Sequence, residues 1–69
     1  MDAVQISDLR IGDAVIEDDV ELLVAGLELG ERVARVRYVV RGMLFQREHR
    51  PRDLVLRLPR EHVALRAAS

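Results

Sequence analysis

Arg35, Arg37 and Arg41 are the residues of this chain best suited to chemistry with a ligand. In an extended segment, residues two apart point the same way, ~6–7 Å from one another. Guanidinium groups held so close repel unless an anion or a carboxylate lies between them. Their planar donor fork suits the paired oxygens of phosphate or carboxylate. Arg47, Arg50, Arg52 and Arg57 follow within a few residues and would widen the patch. The chemistry expected is docking on nucleic-acid backbone or on an acidic protein surface. The competing expectation is that Glu17, Glu21, Glu28 and Glu31 lie opposite on neighbouring strands and neutralise the patch. Cross-strand ion pairs of that kind contribute ~0.2–1 kcal/mol each.

Charge is sorted along the chain. Residues 1–31 hold nine acids against one base, Arg10, whereas residues 32–69 hold ten arginines against Glu48, Asp53 and Glu61. A net charge of −1 therefore conceals an acidic half and a basic half. Such asymmetry points to a charge-complementary partner. Lysine is absent, which codon bias accounts for, but codon bias does not gather the arginines in one half.

Other reactive groups are sparse. The only hydroxyls are Ser7, Ser69 and Tyr38, and the only imidazoles are His49 and His62. Ser69 is the last residue and Ser7 precedes Asp8 in an expected turn, so no serine has a positioned base. Glu17, Asp18, Asp19 and Glu21 read as a solvated acidic turn, because they lack the glycine and distal glutamate of a calcium loop. Arg-Glu-His occurs at 47–49 and again at 60–62. Zinc on those histidines is disfavoured, since structural zinc takes four protein ligands and cysteine is missing. The sequence thus predicts a binding module and no enzyme, with no catalytic residue, metal or cofactor.

At 69 residues the chain reads as a single domain, 1–69, near the lower size limit for folding without disulfides. Its longest apolar run, residues 22–27, falls far short of the ~20 residues of a membrane span. The acidic start does not resemble a secretion signal, so the expected location is cytoplasmic.

The elements needed to position these groups are short strands between turns. Gly12-Asp13 precedes the β-branched run Ala14-Val15-Ile16-Glu17, and Asp18-Asp19 makes the next turn. The segment from Arg32 to Arg41 alternates, with Ala34, Val36, Tyr38 and Val40 on one face and Arg35, Arg37, Val39 and Arg41 on the other. Arg41-Gly42 turns the chain into residues 43–48. Pro51 interrupts, and Leu54, Leu56 and Leu58 then alternate with Val55 and Arg57. The expected core is Val36, Tyr38, Val40, Leu54, Leu56 and Leu58, with Val15 and Phe45. Residues 20–29 are read as a strand, although Val20, Leu23, Val24 and Leu27 also fit helical spacing. Residues 59–62 are expected to form a 3₁₀ turn, with a terminal helix as the alternative.

Five to six short antiparallel strands with tight turns close most economically as a small β-barrel. The stretch Asp8-Leu9-Arg10-Ile11-Gly12-Asp13-Ala14-Val15 resembles the opening of small barrels of the SH3 and KOW type. The order of turns at 12–13, 18–19 and 41–42 is similar to that of the KOW-like N-terminal domain of elongation factor P. Leu58-Pro59-Arg60-Glu61-His62-Val63-Ala64-Leu65 resembles the 3₁₀ turn and final strand of SH3 folds. The resemblance implies an all-β SH3-like barrel that binds other molecules. The modified lysine of the elongation factor's tip has no counterpart, because the chain lacks lysine.

Two functions follow as expectations. In the first, Arg35, Arg37, Arg41, Arg47, Arg50 and Arg52 dock a nucleic-acid backbone. Binding would then be salt-sensitive and indifferent to base sequence, because Tyr38 and Phe45 are the only aromatics and both are expected in the core. In the second, the domain is an assembly or adaptor module, either a homo-oligomer or a subunit of a larger complex. Residues 20–29 are apolar on both faces and a small barrel buries only one, leaving Leu23, Leu27 and Leu29 for a protein interface.

Overall fold

Two hairpins supply four neighbouring strands of the sheet, and each turns on a pair of left-handed residues. The computed structural model describes residues 1–59. Asp18 and Asp19 have φ of 51° and 63°, and Arg41 and Gly42 have 51° and 76°. Two consecutive positive φ values are the mark of a type I′ turn, whose twist matches that of the flanking strands. Aspartate tolerates this region poorly beside glycine. We therefore expect Asp19→Gly to stabilise the domain by about 0.5–1 kcal/mol. For a domain of this size that raises the melting temperature by roughly 4–8 °C per kcal/mol. Thermal unfolding followed by circular dichroism tests this, and a lower midpoint would contradict the turn assignment.

The strands are β1 (Asp2–Gln5), β2 (Ala14–Glu17), β3 (Val20–Leu29), β4 (Ala34–Val40), β5 (Met43–His49) and β6 (Leu54–Arg57). They make one antiparallel six-stranded sheet in the order β1-β6-β2-β3-β4-β5. A 3₁₀ turn at Ile6–Asp8 is the single helical element of the described residues. It is tied to the β5–β6 connection by Ile6 N–H to Asp53 O at 2.9 Å and Ser7 N–H to Pro51 O at 3.0 Å. The 3₁₀ turn expected at residues 59–62 runs beyond the described residues.

Residues 20–29 form a strand, as read from the sequence, and a β-bulge explains their two apolar faces. Val24 lies opposite Tyr38 and Gly26 opposite Arg37, so Ala25 is the extra residue. A bulge of this kind reverses which face the following residues occupy. Leu22 and Val24 point into the core before it, and Leu27, opposite Val36, packs against the core after it. The expectation that Leu27 shares an outer face with Leu23 is therefore corrected. One side of the strand supplies core residues along most of its length.

The core is Ile6, Leu9, Val15, Leu22, Val24, Ala34, Val36 and Tyr38, with Val4, Leu27, Val40, Phe45 and Val55 packed against it. This agrees with the sequence expectation for Val15, Val36, Val40, Tyr38 and Phe45. It overturns the expectation for β6. Leu54 is 68% exposed and Leu56 44%, while Val55 packs inward. Leu58, which alternates with Arg57, is only half-buried. A leucine–valine–leucine alternation is apolar on both faces, so period two alone could not say which face turned in. The register does, because Val55 lies opposite Val4, and Leu56 opposite Ala3 and Ile16.

The Gly12-Asp13 motif positions β2. Gly12 has φ of 96°, and the buried Asp13 accepts the Arg10 N–H at 2.9 Å and sits 4.0 Å from the Arg57 guanidinium. Its carboxylate closes the turn from inside, which is why an acid is tolerated at 4% exposure.

Candidate functional site

The six candidate arginines do not share one face. Arg35 and Arg37 alternate on the outer side of β4. Arg41 sits in the β4–β5 turn rather than on the strand, at the far end of β4 from Arg35. Arg47 lies opposite Val36 and so occupies the core side of β5. Its guanidinium lies 5.6 Å from the Phe45 ring centre and bonds Glu17 of β2. Arg50 and Arg52 belong to the β5–β6 connection.

Several of these charges are neutralised within the fold. Arg35 stands 3.4 Å from Glu48 and 3.9 Å from Glu28, with half of its side chain exposed. Glu28 and Glu17, both from the acidic half, thus oppose arginines of the basic half across the sheet. Arg37 and Arg41 have no ion-pair partner among the described residues. The Arg37 guanidinium lies flat over Gly26, where a Cβ would come within 2.5 Å of its Nε. Glycine next to the bulge therefore lets this arginine lie along β3.

A polar cluster occupies the core side between β2 and β5. The Tyr38 hydroxyl and His49 Nε2 are 3.2 Å apart, and their rings meet edge to face at 6.3 Å. Glu17 reaches Arg47 through Oε1, while its Oε2 is buried without a hydrogen-bond partner among the described residues. Burial pushes the Tyr38 phenol up to about 12, with the Glu17 charge adding to the rise and Arg47 opposing it. A phenol held neutral this firmly is a poor nucleophile or base. What the cluster does is tie β5, an edge strand, to β2 through side chains.

The outer face carries the larger feature. Leu23, Val39 and Leu44 lie side by side across β3, β4 and β5, and Ala14 continues the row onto β2. Leu58 reaches the same row, donating its N–H to the Ala14 carbonyl at 2.9 Å. Ile16 and Leu56 form a second apolar pair immediately beside it. Leu23 is 42% exposed and Leu44 63%. Leu29, at the end of β3, is exposed but lies opposite the buried Ala34 on the core side. The expectation that it shares the outer face with Leu23 is therefore corrected, as it is for Leu27. Beyond the row lie Arg37 and Gln46, then Glu28, Arg35 and Glu48.

No family model matches the chain, and no curated protein or solved structure matches it. The residues themselves must carry the functional argument.

Sequence reasoning placed Leu23 on an exposed apolar face, where the structure also has it, but missed Val39 and Leu44 as its neighbours. Strand pairing makes that row, and the signal available was only Val39 interrupting the arginine face. It also missed Glu17, Tyr38 and His49 as a group, since they come from three strands. Among the described residues, no three of histidine, aspartate or glutamate are gathered to hold a metal. No helix of the described residues is long and apolar enough to cross a membrane. His62, of the second Arg-Glu-His, lies outside the described residues.

Proposed function

We propose that this protein is a non-enzymatic assembly module that joins a second copy of itself through the outer face of its sheet. The observation that carries this reading is the apolar row Leu23–Val39–Leu44, extended by Ile16 and Leu56. An apolar surface that spans adjacent strands costs free energy while it faces water, at roughly 25 cal/mol per Å². A two-fold interface must be complementary to itself. The charged margin of the row meets that need, because Arg35 and Arg37 are balanced by Glu28 and Glu48. Two sheets stacked face to face, ~10 Å apart, would bury both rows. Small size adds a motive, since a chain this short buries only a modest fraction of its surface alone.

The same reading takes the sheet to be curled as a small SH3-like barrel. Support comes from the Glu17–Arg47 pair and from the 3₁₀ turn, which docks on the β5–β6 connection.

Analytical ultracentrifugation of the full chain tests the proposal. A dimer is expected at micromolar concentration, and Leu23→Glu with Leu44→Glu should give a monomer with an unchanged circular dichroism spectrum. A full-length chain that stays monomeric would overturn the proposal. Deleting residues 60–69 gives a second arm. If only the shortened chain dimerises, the C-terminal segment covers the face and self-assembly is not the native function.

A further inference from the structure

Three arginines without an acid partner among the described residues meet at one end of the sheet. Arg32 stands in the β3–β4 connection, and Arg50 and Arg52 stand in the β5–β6 connection. With Glu31, Pro51 and Asp53 they line a shallow recess of about 460 Å³. None of the three arginines has an ion-pair partner among the described residues, in contrast to Arg35, Arg47 and Arg57.

The backbone beneath two of them is held firmly. Asp53 accepts the Arg50 N–H on its carboxylate at 2.9 Å and returns its own N–H to the Arg50 carbonyl at 2.9 Å. Pro51 and Asp53 carbonyls accept N–H groups from Ser7 and Ile6. Pro51 also fixes its own φ. The Asp53 carboxylate is thus committed to closing the loop, leaving Glu31 as the other acid of the recess. Arginines projected from a pinned loop lose less freedom on binding an anion than arginines on a loose one.

We propose that Arg32, Arg50 and Arg52 form a phosphate-binding site for nucleic-acid backbone. This inference is independent of the outer-face interface, which lies on the strands and not on these connections. The guanidinium fork matches phosphate oxygens. No aromatic stacking platform accompanies it, because Tyr38 is fully buried and Phe45 packs against the core. Recognition therefore falls on backbone charge rather than on bases.

Fluorescence polarisation with labelled single-stranded and duplex oligonucleotides of several sequences tests the site. Weak binding is expected, similar across sequences. About three phosphate contacts should give a log–log salt slope of roughly −2 to −3. Arg50→Gln should lower the slope by about one. Arg32→Gln, Arg50→Gln and Arg52→Gln together should abolish binding, while Arg35→Gln, whose partner acids already hold it, should leave the slope unchanged. Competition by inorganic phosphate in the low-millimolar range that equals the effect of an oligonucleotide would identify free phosphate as the ligand and overturn the nucleic-acid assignment. So would the absence of binding at low salt, or an equal loss in Arg35→Gln. Circular dichroism of the triple variant guards against a folding defect, and Arg→Lys at all three positions should restore part of the affinity.

Discussion

Val36→Asp should abolish cooperative folding, whereas Leu54→Asp should leave the domain folded. Val36 is fully buried at the centre of β4, flanked by Leu27 on β3 and Arg47 on β5. The one cation beside it, Arg47, is already paired with Glu17, and burying a further charge there costs several kcal/mol. The whole domain, at ~0.05–0.15 kcal/mol per residue, has only about 3–10 kcal/mol to lose. Leu54 is 68% exposed and should change stability by about 0.5 kcal/mol or less. Val55→Asp, one residue on and packed against the core, should be far more damaging than its neighbour. Urea denaturation of the three variants reads these differences directly. Equal effects at 54 and 55 would mean that β6 is turned the other way.

In an alkaline titration, Tyr38 should ionise near pH 12 in the folded protein and near pH 10 once the chain is unfolded. Burial is the larger cause, and the nearby Glu17 charge the second. Tyrosinate absorbance reports this residue alone, because the chain has one tyrosine. A raised phenol pKa means that the unfolded chain gives up this proton first. The fold is therefore unaffected by this group below pH 10 and loses stability as pH climbs from 10 to 12, by up to about 3 kcal/mol. The chain has no lysine to titrate in that window, so the loss is assigned to Tyr38. Tyr38→Phe should remove this alkaline transition, and Glu17→Gln should lower the native midpoint. A native midpoint near 10 would contradict the burial of the hydroxyl.

Much of the fold was legible in the residues. The alternation of residues 34–40 set the faces of β4, since apolar and charged side chains there differ sharply at every step. Asp18-Asp19 and Gly42 marked both tight turns, because aspartate and glycine favour turns and enter the left-handed region more readily than most residues. Ala14–Glu17 stood out as β-branched residues behind a Gly-Asp turn. Where both faces of a strand are apolar, the pattern had no contrast to offer. Leu54, Val55 and Leu56 on β6 are such a case, and so is the passage from Val24 to Leu27 across the bulge.

The candidate surfaces followed the same division. That arginines and acids lie in opposite halves of the chain is a property of the sequence. Antiparallel pairing of β3 with β4 then set Glu28 beside Arg35, whereas Glu17 meets Arg47 on the core side of the sheet although β2 and β5 are not neighbours. Which arginines remain uncommitted depends on the register, on which side of β5 each residue falls, and on how connections distant in sequence meet. Arg32, Arg50 and Arg52 come together only because β4 and β5 return the chain to the same end of the sheet. The row Leu23–Val39–Leu44 exists only across three strands. Composition and alternation thus determined an all-β domain with a charged exterior, because local spacing is enough to set strands and turns. The tertiary structure alone decided which apolar residues stayed outside and which cations stayed unpaired, because both depend on contacts between residues far apart in the chain.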